Sequence, residues 1–170
     1  TERPIQRPKD RQRQQDYYSG RKKRHTVKNV VITHKPSGRI LGLSRTYPGR
    51  RHDKAVADEE GFSFPPGSHL WEDTGFEGYA PEGVIIHRPK KKPPKGELSP
   101  EEKAQNRAIS QERIGVEHSI GKVKIFRIVR EIYRNHRPEF EDLVMETACG
   151  LCNLLLACRP TKVAHLIATA

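Results

Sequence analysis

Apolar residues recur along this chain in two periods. From Ser99 to Arg130 they fall at Ile109, Val116, Ile120 and Val123, spacings of seven, four and three that belong to a helix with one apolar face. Ser99, Pro100 and Glu102 mark its start: an N-cap hydroxyl, a proline at the first helical position and an acid at the third. Glu139 to Cys158 repeats the pattern with Phe140, Leu143, Val144, Ala148, Leu151 and Leu155, and Arg159-Pro160 stops it. Upstream the period shortens. His25 to Thr33 alternates and is β-branched, Lys35-Pro36-Ser37-Gly38 turns the chain, and Arg39 to Thr46 returns, which predicts an antiparallel hairpin closed by Tyr47-Pro48-Gly49. His52-Asp53 caps a short helix over Lys54 to Glu60, ended by Gly61. Short strands follow at Ser68 to Glu72, expected to be buried and to stop at Asp73-Thr74-Gly75, and at Val84 to Ile86.

The remaining stretches are polar. Thr1 to Arg24 is dense in Arg, Lys and Gln and is expected to be mostly loop, with the run Arg21-Lys22-Lys23-Arg24 available to phosphates. Residues 88–98 form a connector rich in Pro and Lys, which cannot pack a core. The pattern predicts one domain over residues 1–160, a tail over 161–170, and an α/β (α+β) fold. That fold has a mixed sheet, the N-terminal antiparallel hairpin, flanking helices and a C-terminal helical pair.

Charge narrows the partners. Lys and Arg number 32 against 21 acids, a net +11, so a polyanion such as nucleic acid is the default partner. The most apolar run, Cys149 to Cys158, is too short to span a bilayer, which argues against a membrane partner, and no signal peptide is visible. Cys149, Cys152 and Cys158 are odd in number and sit on that apolar helix, the pattern of core thiols in a reducing cytoplasm. The chain starts at Thr1 without methionine, as expected for a piece of a longer protein.

Candidate chemistry rests on two acids. Asp73 ends a strand, and Glu117 lies on the long helix within about 60° of Arg113 and Lys124 on a helical wheel. Converging carboxylates suit Mg²⁺, a hard cation that takes oxygen ligands and can act in pairs on a phosphodiester. The same residues also admit structural roles: Asp73 before Thr-Gly as a turn acid, and Arg113 with Glu117 as an i,i+4 surface ion pair.

At these positions the chain resembles the DDE-type insertion-sequence transposases, in the branch whose nuclease domain is similar to that of Harbinger-like elements. The residues that carry the resemblance are Thr1-Glu2 with Arg7-Pro8, the block from Tyr18 to Lys28, Pro48-Gly49 with His52-Asp53, Trp71-Glu72-Asp73-Thr74-Gly75-Phe76, and the series Arg113, Glu117, Lys124. Ser110 stands where the family's helix motif has tyrosine. The resemblance implies an RNase H-like fold in which three carboxylates bind two Mg²⁺ or Mn²⁺ ions. Asp73 would be the second acid and Glu117 the third, with the first in an Asp-Gly pair directly upstream of Thr1, so that the chain alone would be inactive. It implies DNA strand nicking and strand transfer, DNA contacts from Arg113, Lys124 and Lys122, and a supporting role for His52 and Asp53, with Asp53 the alternative second acid. DNA at the element's ends and at the target would be the partner, a homodimer on DNA is a compatible assembly, and the setting would be the bacterial cytoplasm and its nucleoid. Two other readings stand beside it: a non-catalytic nucleic-acid-binding protein, and an inert transposase remnant.

Overall fold

A computed structural model describes residues 1–94 and 96–158. In chain order its elements are β1 (Glu2–Pro4), α1 (Arg11–Tyr17), β2 (Tyr18–Ser19), β3 (Arg24–Lys28), β4 (Val31–Thr33), β5 (Ile40–Leu43), β6 (Tyr47–Pro48) and α2 (Asp53–Glu60). There follow β7 (His69–Trp71), a 3-10 turn (Thr74–Phe76), β8 (Ile85–His87), α3 (Pro100–Val123), α4 (Arg127–Arg130) and α5 (Phe140–Ala157). The fold is mixed α/β, as the patterning predicts, but its strands fall into three small sheets: β1, β2 and β6 around β3, the antiparallel pair β4–β5, and the parallel pair β7–β8.

The run from His25 to Thr33 is not one strand. Asn29, buried at the break, donates from Nδ2 to the Ser44 carbonyl and to Thr46 Oγ1, each at 3.0 Å, while Val30 N–H donates to Ser44 Oγ at 2.8 Å. The Val30 N–H and the Ser44 carbonyl are thus taken by side chains rather than by facing backbone, and between Lys28 and Val31 the chain passes from one sheet to the hairpin. Tyr47-Pro48 accordingly does more than close the hairpin: it adds to β3 as β6. Gly49 follows against β3, where a Cβ would lie 2.7 Å from the Thr26 carbonyl oxygen.

The amino-terminal segment is also more ordered than its composition suggests. β1 adds to β3, and α1 is capped by Asp10 Oδ1, which accepts from Arg13 N–H at 2.8 Å. Arg3 is wholly buried and donates from Nη2 to Asn29 Oδ1 and Thr46 Oγ1 at 3.0 Å and to the Glu141 carbonyl at 3.2 Å.

The main core lies where α5 packs on α4 and the end of α3. It holds Val123, Val129, Tyr133, Val144, Met145 and Ala148, with Ile40 from β5. Cys149 and Cys152 are buried in it as predicted for core thiols, burial pushing the Cys149 thiol up to about 11; Cys158 is exposed. The helix expected over Ser99 to Arg130 breaks after Val123. Ile125 N–H donates to Lys122 and Phe126 N–H to Val123, tight turns that reset the phase. In an unbroken helix Val123, Phe126 and Val129 would fan over about 120°; the break lets all of them reach α5's core. Asn153 on α5 pairs with Ile40 like a neighbouring strand, accepting from its N–H at 2.9 Å and donating to its carbonyl at 2.8 Å.

β7 is less buried than expected, with His69 exposed and Leu70 and Trp71 half-buried. The connector is exposed but not free. Arg88 bonds Glu72, Lys90 bonds Asn106 and Glu102, and Lys91 pairs with Glu77. The tail predicted over residues 161–170 lies outside the described residues.

Candidate active site

A cavity of about 790 Å³ opens between the β4–β5 hairpin, β7, the start of α2 and one face of α3. Asp73 enters it from the end of β7, where its extended backbone precedes the 3-10 turn. Oδ1 accepts from Thr74 Oγ1 at 3.0 Å and Oδ2 from Arg113 Nη2 at 3.3 Å. Partial burial alone would raise this carboxyl, but the Thr74 hydroxyl and the Arg113 charge outweigh it and hold Asp73 below the usual carboxylate range. It is therefore ionised at neutral pH. The i,i+4 pair from Arg113 to Glu117 does not form; Arg113 reaches across to the strand end instead.

Asp53 lines the same cavity as the first residue of α2, where the helix N-terminus favours a negative charge. Its Oδ1 accepts from the buried Lys28 Nζ at 3.0 Å. The backbone of Gly75 lies so near that a Cβ there would stand 2.7 Å from Asp53 Oδ2. The Asp-Thr-Gly sequence thus places two carboxylates in one cavity: Asp73 directly, and Asp53 through the space that glycine leaves. Lys124 lines the cavity too, its ammonium pushed down by burial and by the Lys22 charge, with Glu2 opposing.

Residues 1–153 match the family described as DDE superfamily endonuclease. The chain belongs to that family. It is also 33% identical over 157 residues to a protein from Microchaete diplosiphon described as the probable transposase for insertion sequence element IS702, a match covering 92% of this chain and 55% of that protein. The chain therefore spans about half the length of that relative. No solved structure matches it.

In this DDE endonuclease chain the residues singled out from sequence divide into two groups. Asp73, Arg113, Lys124 and Asp53 share the cavity wall. Glu117 projects from the flank of the same α3 face, about 40° round from Arg113, exposed and without an ion pair among the described residues. Lys122 points elsewhere, with Nζ 3.9 Å from where a Gly38 Cβ would stand. His52 is an exposed N-cap whose side chain makes no cap bond.

Divalent ions are the family's usual requirement, and the donors are of the right kind: Asp73 offers an ionised carboxylate to the cavity, and α3 carries a second, Glu117, exposed and outside the cavity's lining. Among the described residues, no cluster of three or more His, Cys, Asp or Glu side chains suited to a metal is present. No described helix is long and apolar enough to cross a membrane.

Sequence reasoning passed over Lys28, a lone lysine in a strand whose meaning depends on α2 folding back onto it. It also passed over the buried Glu72 and its half-buried partner Arg88, which join the end of β7 to the connector at 2.7 Å. Burial raises the Glu72 carboxyl, against the pull of Arg88. The acid directly before Asp73 and an arginine just after β8 were the available signals.

Proposed function

We propose that this chain is the catalytic part of a DNA transposase, with an RNase H-like arrangement of its acids. It would nick DNA at the ends of a mobile element and join the freed 3′ hydroxyl to target DNA, both by in-line displacement at phosphorus. The observation that carries the reading is the ionised Asp73 at a strand end, bonded across the cavity to the helix that bears Glu117. Asp73 and Glu117 would hold the two Mg²⁺ or Mn²⁺ ions, with the first acid supplied by an Asp-Gly pair directly before Thr1, where Thr1 and Glu2 already line the cavity. Such ions, when bound, neutralise phosphate charge and activate the attacking oxygen. Arg113 and Lys124 bind and orient the phosphate flanking the cut. A second groove, of about 670 Å³ and lined by Arg7, Arg11, His25 and Arg50 without a carboxylate, extends the surface available to DNA phosphates.

The test uses a protein with Asp-Gly restored ahead of Thr1. It should nick element-end DNA when Mg²⁺ is added, and Asp73→Asn and Glu117→Gln should each abolish nicking with DNA binding nearly intact. The chain without the added pair should bind DNA and cut it poorly. If Glu117→Gln cuts as well as its parent, Glu117 is a surface residue of α3. Salt-sensitive binding with no cleavage by any version would favour the non-catalytic nucleic-acid-binding reading.

A further inference from the structure

Beside Asp73 the cavity wall carries an aromatic surface that the reaction does not call for. β7 and β8 pair in parallel with His69 opposite Ile85 and Trp71 opposite His87, which sets His69, Trp71 and His87 on one face. The His69 and His87 rings have centroids 5.0 Å apart and planes 12° apart, and His69 Nδ1 lies 2.7 Å from His87 Nε2. The difference between those two distances is taken up by the radii of two five-membered rings. The imidazoles therefore lie edge to edge in nearly one plane, one donating to the other, rather than face to face. Trp71 stacks on His87 in parallel offset, with centroids 4.6 Å apart and planes 12° apart, and is 5.8 Å from His69. Lys35 Nζ sits 4.4 Å from the Trp71 ring centre and is held there by Glu112 at 2.5 Å.

This surface is not core. His69 is exposed, Trp71 and His87 are half-buried, and none of them belongs to either hydrophobic cluster. His69 and Trp71 both line the cavity that holds Asp73, and Lys35 lines it too. His69 and Trp71 thus reach a cavity with cations on its other wall, and His87 joins them behind by a hydrogen bond and a stack, which together give the breadth of a partner for a planar base.

We propose that Trp71, His69 and His87 form a stacking platform for one unpaired nucleobase of the strand whose phosphate lies at Asp73 and Arg113. A base inside a duplex has both faces covered by its neighbours, so the platform selects a nucleotide that is single-stranded or drawn out of the stack. It does so with little regard to sequence, since every base has a π face. The inference rests on the DNA reading of the cavity.

Trp71 is the chain's single tryptophan, so its emission reports on this surface alone. The experiment titrates the full chain with a duplex bearing a single-stranded 3′ overhang, with the same duplex carrying one abasic position in that overhang, and with a blunt duplex. Affinity is followed by anisotropy of a distant label and stacking by tryptophan quenching. The overhang should quench Trp71, and the blunt duplex should bind without quenching. An abasic site at one overhang position should abolish quenching and weaken binding about 5- to 150-fold, the range for loss of one base–aromatic stack. Trp71→Phe should keep most of the affinity and its sensitivity to the abasic site, whereas Trp71→Ala should lose both. Binding with quenching that ignores the abasic site, or that is equal on blunt duplex, overturns the platform and leaves the DNA reading standing. No binding to any of the duplexes overturns both.

Discussion

Arg113 Nη2 and Asp73 Oδ2 lie 3.3 Å apart across the cavity, so the only ion pair of Asp73 among the described residues is with the helix and not with its own strand neighbours. Both groups are partly solvated, and such a pair contributes only about 0–1 kcal/mol. Its larger effect is on ionisation. Asp73 is held below its ordinary value, so its share of stability is present above that value and is lost as pH falls through the folded-state pKa. Arg113→Ala should raise the Asp73 pKa, read by carboxyl NMR titration, while shifting the unfolding midpoint little. An unchanged Asp73 titration would show that the Thr74 hydroxyl and the backbone of Thr74 and Gly75 set it without Arg113.

Gly75 is required by Asp53 and not by its own backbone. A Cβ there would stand 2.7 Å from Asp53 Oδ2, so the carboxylate, which also accepts from Lys28, would have to shift. Gly75→Ala should cost about 1–3 kcal/mol in urea unfolding, the usual range for overpacking. Adding Asp53→Ala removes the clash, so a double-mutant cycle should show the two changes costing less together than their sum. Strict additivity would mean that the contact carries no strain.

His87 gives the stacking platform a pH limit. Burial, then the charges of His69 and Lys35, lower its pKa from the ordinary value of 6.5. The unfolded chain then binds more protons than the folded one as pH drops through that value, so stability falls with acidification in this window and is unaffected above it. His87→Asn should flatten the difference between unfolding midpoints at about pH 7.5 and 5.5. An identical pH dependence in the variant would remove His87 from the account.

Glu72 is almost wholly buried and one of its oxygens is held by Arg88 Nε and Nη2 at 3.0 and 2.7 Å. Removing Arg88 leaves a buried carboxylate without a counter-charge, so Arg88→Ala should destabilise by about 3 kcal/mol at neutral pH. The penalty should shrink in acid, where Glu72, already shifted up by burial, becomes neutral. Glu72→Gln in the Arg88→Ala background should recover part of the loss; no recovery would assign the effect to lost packing of the Arg88 stem.

What could be read from the sequence follows the reach of each signal. α3 and α5 run for 24 and 18 residues, long enough for their period to show, and the α3 capping box formed as Ser99 and Glu102 implied. The β4–β5 hairpin was announced by Pro36-Ser37-Gly38. α1 was missed because RQRQQDY has no apolar residue before its last, Tyr17, and β1 and β2 because three and two residues cannot display a period. Asp73 and Arg113 could be named singly, but their bond depends on how β7 meets α3, a relation that no local pattern encodes. The same holds for Lys28 with Asp53, and for His87, whose place beside Trp71 exists only once two strands 14 residues apart have paired in parallel.

The buried Arg3 ties the order of folding to the order of synthesis. Its guanidinium reaches the carbonyl of Glu141, 138 residues later, and Pro4 and Gln6 bond Tyr133 from either side. β3, Asn29 and Thr46 meet β1 and Arg3 soon after they are made, but Tyr133 and Glu141 emerge from the ribosome much later. Until they do, one edge of β1 lacks Tyr133 and the Arg3 guanidinium lacks the Glu141 carbonyl and the cover of α5. Completion is tied to the release of α5, and polypeptides stalled before Glu141 should remain protease-sensitive while those extended past α5 become resistant.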